Sequence, residues 1–391
     1  MKVKVSLIGL ADMLKFKHLK DNRLKAIDET EIKPIQRHKI NDLADYYHPK
    51  KQYLVLDKIV DENETTKSFL FKPDESMGTK KLAYFKSGSY VSLYVKIGDS
   101  IASRAYAISS SPKEALEGIY RITIKRKEGG FVSEYMLDQA KVGDKMYCTE
   151  PGGFLTYDRL RDAKHVVAIA GGTGITPFVS MANAIKDGIE DFDLTILYGV
   201  NKFSDRIFGE ELDEIAKATD KVKVVYVVAD KRSKGDEYGY VTAEIIKKYA
   251  PKKEPYSVFV SGPNGLFSFL EGQLPELKLE QKYIRLEKSP MTLTAEDPEK
   301  EYTISVHVED EVKTIKAKAS ETILNALERS DIAIRAKCHL GGCGYCRSRL
   351  LKGTVACTKL NKQSDLDKKL GYIHPCCTYP TSDLEIEVYK Y

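Results

Sequence analysis

The cysteines of this chain are distributed unevenly. Of seven in 391 residues, Cys148 stands alone, and Cys338, Cys343, Cys346, Cys357, Cys376 and Cys377 fall in the last 54. Three are spaced Cys338-x4-Cys343-x2-Cys346, and Cys376 follows after 29 further residues. Two irons bridged by two sulfides require four thiolates, and a short loop can wrap three of them around one side while a second loop brings the fourth. Gly341, Gly342 and Gly344 let the loop turn and carry its N–H groups toward the sulfurs, where hydrogen bonds help to set a reduction potential. A structural zinc site also uses four cysteines, but it favours short paired spacings that this Gly-rich loop lacks. Spacing alone leaves the fourth ligand open between the adjacent Cys376 and Cys377. Clustered thiols in a chain without a secretion signal indicate metal or redox work rather than disulfides.

A second candidate lies upstream. Gly171-Gly172-Thr173-Gly174-Ile175-Thr176-Pro177 follows an apolar run, His165 to Ala170, and opens a helix-like segment. By itself this is a Gly-rich turn. Between strand and helix, it admits an anion to the helix N-terminus.

These groups need elements to position them. At roughly 100–200 residues per domain, the length predicts two to four domains. With 42% hydrophobic and 30% charged residues, 26 Gly and 14 Pro, the composition excludes disordered, collagenous and low-complexity classes. No apolar run approaches the ~20 residues of a membrane helix, and the N-terminal MKVKVSLIGLADMLK lacks a cleavage site, so a cytoplasmic protein with no membrane span is expected. The net charge of +5 is largely local, since residues 1–50 hold 11 Lys/Arg against 7 Asp/Glu; this is too weak for nucleic-acid binding.

Residues 1–48 read as an extension of two polar, helix-leaning segments broken near Lys33-Pro34. Short β-rich runs at residues 49–158 predict an antiparallel barrel. Strands and helices alternate through 159–291, the signature of βαβ units and a parallel sheet. A Pro- and charge-rich linker, Pro290 to Lys300, precedes a small α+β domain within residues 292–391, with a hairpin, a helix beginning near Glu321, the Gly/Cys loop and a last strand in LEIEVYKY.

Residues 300–391 resemble plant-type ferredoxin domains, of the β-grasp fold. Gly371-Tyr372-Ile373-His374-Pro375-Cys376-Cys377-Thr378-Tyr379-Pro380-Thr381-Ser382-Asp383 matches the segment carrying that family's last ligand, which the resemblance places at Cys376. Arg104-Ala105-Tyr106-Ala107-Ile108-Ser109-Ser110 resembles the R-x-Y-S/T motif of the ferredoxin–NADP reductase superfamily, whose Arg meets the flavin phosphates and whose Tyr packs on the isoalloxazine. A guanidinium suits a pyrophosphate, and an aromatic wall suits a flat ring. Ala107 departs from the Ser or Thr found near flavin N5. Lys125 to Met136 resembles the Gly-Gly-x-x-Ser phosphate loop, with Gly129, Gly130, Phe131, Val132 and Ser133 opening a helix.

Gly171, Gly172, Thr173 and Gly174 match the superfamily's pyridine-nucleotide motif, and Ser261-Gly262-Pro263 stands where the family has Cys-Gly-Pro, with serine replacing the thiol beside the nicotinamide. Asp205 stands where NADH-preferring relatives carry an acid, and Asp230 ends the third strand of this region. Carboxylates repel a 2′-phosphate and bond a 2′-hydroxyl, whereas Lys202, Arg206, Lys231 and Arg232 argue the other way. The cofactor is therefore NADH or NADPH, with the acids favouring NADH. FAD is expected ahead of FMN because the Gly129–Ser133 loop suits a pyrophosphate, although relatives of the same domain order use FMN.

The resemblance covers residues 49–391, in the order of phthalate-dioxygenase-reductase-like and hybrid-cluster-protein-reductase-like enzymes. It implies an NAD(P)H-dependent oxidoreductase that passes electrons through FAD to a [2Fe–2S] cluster held by Cys338, Cys343, Cys346 and Cys376, with Tyr106 and Ser261 at the site of hydride transfer. The acceptor would be a separate redox protein: an oxygenase, a hybrid-cluster or corrinoid protein, or another reductase component. The alternative is an electron-entry subunit of a larger complex with little activity alone.

Overall fold

The structure, a computed structural model, describes Leu14, Phe16 and residues 18–30, 38–288, 293–359 and 361–389. Residues 1–45 and 46–391 form two separate units. In the first, α1 (Leu19–Asp28) buries none of its residues. α2 spans Lys39–Tyr47. The expected break at Lys33-Pro34 lies outside the described residues, as do part of the linker and the last two residues of LEIEVYKY.

The second unit begins with six antiparallel strands: β1 (Gln52–Asn63), β2 (Thr66–Pro73), β3 (Tyr90–Ile97), β4 (Ser100–Ala107), β5 (Tyr120–Lys125) and β6 (Lys145–Cys148), in the order β4-β3-β6-β1-β2-β5. A bridge between Ile108 and Ile122 joins the two ends into the expected barrel. Alternation sends Val91, Leu93 and Val95 of β3 inward with no exposed surface, at roughly 1.5–3 kcal/mol per buried side chain. Ser92 and Tyr94 are thereby turned to the other face. Two helices accompany the barrel, α3 (Pro112–Leu116) and α4 (Phe131–Asp138).

A parallel sheet follows, built from β7 (His165–Gly171), β8 (Asp193–Val200), β9 (Val222–Val228), β10 (Glu237–Tyr238), β11 (Tyr256–Gly262) and β12 (Ile284–Lys288), ordered β10-β9-β8-β7-β11-β12. Val166, Ala168 and Ala170 of β7 pack on one face, with α5 (Thr176–Lys186) and α6 (Gly209–Ala218). Val167 and Ile169 pack on the other, with α7 (Ala243–Tyr249) and α8 (Asn264–Gln273). Burial on both faces explains why this strand is continuously apolar. From β7 the chain first builds one side of the sheet and then returns to build the other, so the topological switch lies between β7 and β11, where such sheets bind ligands.

The last domain has strands β13 (Glu301–Val308), β14 (Glu311–Lys318), β15 (Ser348–Lys352), β16 (Val355–Cys357), β17 (Tyr372–Ile373), β18 (Thr378–Pro380) and β19 (Leu384–Val388). Five form a sheet ordered β14-β13-β19-β15-β17, and β16 pairs with β18. Its helix α9 (Ile323–Arg329) starts two residues later than Glu321 because the Thr322 side chain caps Asn325 N–H; a short α10 (Asp365–Lys369) is capped likewise by Ser364.

Candidate functional site

The cysteines come together as their spacing requires. Cys338 shares thiol hydrogen bonds with Cys343 and Cys376, and Cys376 with Cys346 and Cys377. Backbone N–H groups point at two of the sulfurs, Leu340 N to Cys338 Sγ at 3.4 Å and Tyr345 N to Cys343 Sγ at 3.5 Å. Among the described residues no three His, Cys, Asp or Glu side chains surround one point as a single ion requires. The contacts link all four thiols in a row, Cys343 to Cys338 to Cys376 to Cys346, and four thiolates are what two bridged irons require. His374, only 2% exposed, donates from Nδ1 to Gly341 O at 2.9 Å, whereas its Nε2 has no partner. The four gathered thiols and the loop N–H groups aimed at their sulfurs are the donor set that a [2Fe–2S] cluster requires. Cys377 packs under the loop: its thiol meets His374 O at 3.5 Å, and a Cβ on Gly341 would lie 2.4 Å from its sulfur.

The nucleotide motifs lie at the switch point. Gly172–Ile175 forms a 3-10 turn after β7, and Ser261–Pro263 ends β11 beside it. Gly174 approaches so closely that a Cβ would sit 2.1 Å from Ser261 O, which is why no side chain stands there. Thr173 O accepts from Thr176 Oγ1 at 2.9 Å. Four helices of this fold are capped by a Ser or Thr side chain, at Ser111, Thr242, Thr322 and Ser364. α5 and α8 have neither a side-chain cap nor an acid in the first turn, and α6 has no cap but carries Glu210 and Glu211 there. The Gly172–Ile175 turn that leads into α5 starts on Gly171 with no side-chain cap, and such a start suits phosphate. Asp205 instead accepts Lys202 N–H at 2.9 Å, and Asp230 pairs with Arg232 at 3.0 Å.

At the barrel, Tyr106 packs against the core, and burial pushes its hydroxyl up to about 12. α4 starts on Gly130 without a side-chain cap, as a phosphate loop would, but Glu134 already takes Gly129 N–H at 2.8 Å. Ser133 Oγ is held by Lys127 and Gly130 carbonyls at 3.3 Å. Ile108, Ser109 and Val132 are buried inside the barrel. The N–H groups of Ile108 and Ser109 bond Ser89 O and Arg121 O, so neither N–H is open to a flavin. Arg104 pairs across the domain boundary, its Nη1 with Glu328 at 2.7 Å and its Nη2 with Asn325 Oδ1 at 3.0 Å.

Two residues gathered here have no sequence motif. Glu287 lies in register with Ser261, and burial pushes its carboxyl up to about 7. Tyr90 is the cross-strand partner of Ala107; its hydroxyl is raised by burial and then by the charges of Cys338, Cys343 and Glu287. Tyr90 thus stands where barrel, parallel sheet and cysteine loop converge. The only hint was an acid on an edge strand whose neighbour ends in the Ser-Gly-Pro turn.

Comparison with known proteins agrees with this architecture. Family models match for an oxidoreductase FAD-binding domain at residues 54–157, an oxidoreductase NAD-binding domain at 168–271 and a 2Fe-2S iron-sulfur cluster binding domain at 306–381. The chain is 26% identical to the glycine betaine monooxygenase reductase subunit of Pseudomonas aeruginosa, over 84% of this chain and 93% of that one. It is 26% identical to the ferredoxin reductase component of 3-ketosteroid-9-alpha-monooxygenase from Rhodococcus rhodochrous, over 85% and 96%. The solved structure of phthalate dioxygenase reductase superposes with a TM-score of 0.63 at 21% identity, covering 87% of this chain and 98% of that one.

The chain belongs to the ferredoxin–NADP reductase superfamily, in the form that carries a C-terminal [2Fe–2S] ferredoxin domain. It is an NAD(P)H-dependent oxidoreductase that passes electrons from NAD(P)H through FAD to a [2Fe–2S] cluster and on to a separate acceptor. Among the described residues no helix is long and apolar enough to cross a membrane.

Proposed function

We propose that this protein is the reductase component of an oxygenase system, with domains at 49–158, 159–291 and 292–391 and residues 1–48 as an extension. The observation that carries this is the seating of the cysteine loop directly against the barrel strands of the flavin motif, within one unit that also holds the nucleotide sheet. Bound flavin supplies the step from two-electron hydride chemistry to single-electron delivery.

The chain's own residues bind and orient. The glycine-rich turn Gly171–Gly174 ahead of α5 holds the pyridine-nucleotide phosphates, and Ser261, with Gly262 and Pro263, borders the nicotinamide. Tyr106 walls the flavin ring, Arg104 reaches its phosphates from its pairing with Glu328, the Gly129–Ser133 turn reaches them once Glu134 releases Gly129 N–H, and Asp205 faces the adenosine ribose. Cys338, Cys343, Cys346 and Cys376 hold the cluster, with Cys376 preferred because Cys377 is occupied under Gly341. A cavity of ≈ 340 Å³ lined by Arg335, Tyr345, Cys346, Arg347 and Tyr372 adjoins the cluster and suits an acceptor with an acidic docking face. The named oxygenase reductases among the relatives support that class of acceptor.

Anaerobic titration of the holoprotein with NADH, and separately with NADPH, followed by visible absorbance and EPR, tests this assignment. Flavin bleaching followed by a reduced [2Fe–2S] signal is expected, at lower concentration with NADH. Bleaching without that signal overturns it.

A further inference from the structure

The ferredoxin domain is fastened to the barrel by a row of specific bonds. Along the outward face of β3, Tyr94 donates its hydroxyl to Ala336 O at 2.6 Å and Ser92 to Lys337 O at 2.7 Å. The next outward residue, Tyr90, lies in the field of Cys338. Lys337 pairs with Glu150 of the barrel. The row therefore runs residue by residue into the first cluster ligand.

On β4 the anchor is a carboxylate. Glu328 of α9, 3% exposed, accepts Ser103 N–H at 2.9 Å and Ser103 Oγ–H at 3.4 Å on one oxygen, and Arg104 Nη1 at 2.7 Å on the other. Ser103 Oγ also meets His339 Nε2 at 3.2 Å, and His339 adjoins Cys338. Ser103 directly precedes the flavin motif that Arg104 opens, and Tyr106 and Ala107 follow on the same strand. A buried carboxylate is costly unless each oxygen is paired, and both partners of Glu328 come from the other domain.

We propose that Glu328 is a positioning residue for transfer between flavin and cluster: it locks α9 and the cysteine loop to the strand that walls the flavin. This rests on the electron-transfer assignment above. The transfer moves one electron from reduced flavin to one ferric iron of the cluster, and Glu328 exchanges neither proton nor electron in it. Because Arg104 is shared between Glu328 and the proposed flavin phosphate site, flavin occupancy and domain seating are coupled through one guanidinium, which has five N–H donors for such bridging.

The test compares the parent holoprotein with Glu328→Ala and Glu328→Gln, each mixed anaerobically with NADH, with flavin bleaching followed by stopped-flow absorbance and cluster reduction by freeze-quench EPR. In Glu328→Ala the cluster rate is expected to fall about tenfold or more relative to the flavin rate, as expected when a fixed donor and acceptor are loosened. Glu328→Gln keeps one oxygen for Ser103 N–H and should fall between the two. A cluster rate that keeps pace with flavin bleaching in Glu328→Ala overturns the proposal.

Hydrogen exchange at Ser103 and residues 336–338 reads the seat without any electron transfer. Faster exchange in Glu328→Ala is expected, and unchanged exchange overturns the seat even if the parent proves unable to reduce its cluster, a result that would instead refute the electron-transfer assignment. If Glu328→Ala does not fold, Tyr94→Phe combined with Ser92→Ala removes two bonds of the same row. It should slow the cluster phase severalfold, and parent-like kinetics in that variant count against the proposal.

Discussion

Tyr90 and Ala107 face each other as direct partners at the end of the β3–β4 ladder. Between them they mark the place where a hydroxyl expected from the family is missing and an aromatic hydroxyl, raised by burial and by neighbouring negative charge, stands across the strand. Restoring the short hydroxyl with Ala107→Ser is expected to speed NADH-driven flavin bleaching by about 2- to 10-fold, the equivalent of one neutral hydrogen bond. Anaerobic stopped-flow absorbance measures it.

Glu287 sets a pH dependence. Burial raises its carboxyl from 4.5 to about 7. Between those values the unfolded chain has released the proton and the folded chain has kept it, so stability falls as pH rises through this window. At about 1.4 kcal/mol per unit the ceiling is roughly 3 kcal/mol, and the part of Glu287 still in contact with solvent lowers it. Glu62, Glu114 and Glu190 are also raised by burial and add to the slope. Glu287→Gln should therefore flatten the fall in Tm across this window without abolishing it, as thermal melts in pH steps would show.

The adjacent thiols separate cleanly. Cys376→Ser is expected to lose the cluster, seen as loss of iron and of the visible and EPR signals, because Cys376 contacts both Cys338 and Cys346. Cys377→Ser should retain the cluster, since that side chain is engaged with His374 O under Gly341.

A second buried pair joins the barrel to the nucleotide sheet. Arg121 holds Glu211 through two bonds, at 2.8 and 2.9 Å, and Asn183 donates to the same carboxylate at 2.6 Å. Burial raises the Glu211 carboxyl, but the Arg121 bonds and charge outweigh it and hold the group below its usual range. Its stabilisation is therefore present above the unfolded pKa and lost as pH falls through the folded one. Glu211→Ala should cost about 3 kcal/mol, the low end for a broken buried pair, because 29% of that side chain remains exposed. Chemical denaturation at neutral pH measures the loss, and the variant's acid destabilisation should be shallower.

The cysteine spacing, the glycine turn after an apolar strand and the alternation of strand and helix are properties of a few consecutive residues. Whereas the flavin region rested on a resemblance, sequence alone was enough to predict an iron–sulfur loop, an anion-binding turn, the barrel and the parallel sheet. It also left Cys376 and Cys377 undivided until a resemblance was invoked, because neighbours on a chain share a spacing and differ only in where their side chains point. Arg104 shows the converse limit. Its motif suggests an anion partner, but the carboxylate it meets is 224 residues away. Glu287 and Tyr90 have no motif at all. They come together because β12 runs in register with β11 and β3 with β4, and because the ferredoxin domain is seated on the outer face of that same β3. Local chemistry is written in consecutive residues; the burial that raises a carboxyl, and the docking that sets an electron's path, exist only once distant segments have packed and excluded water.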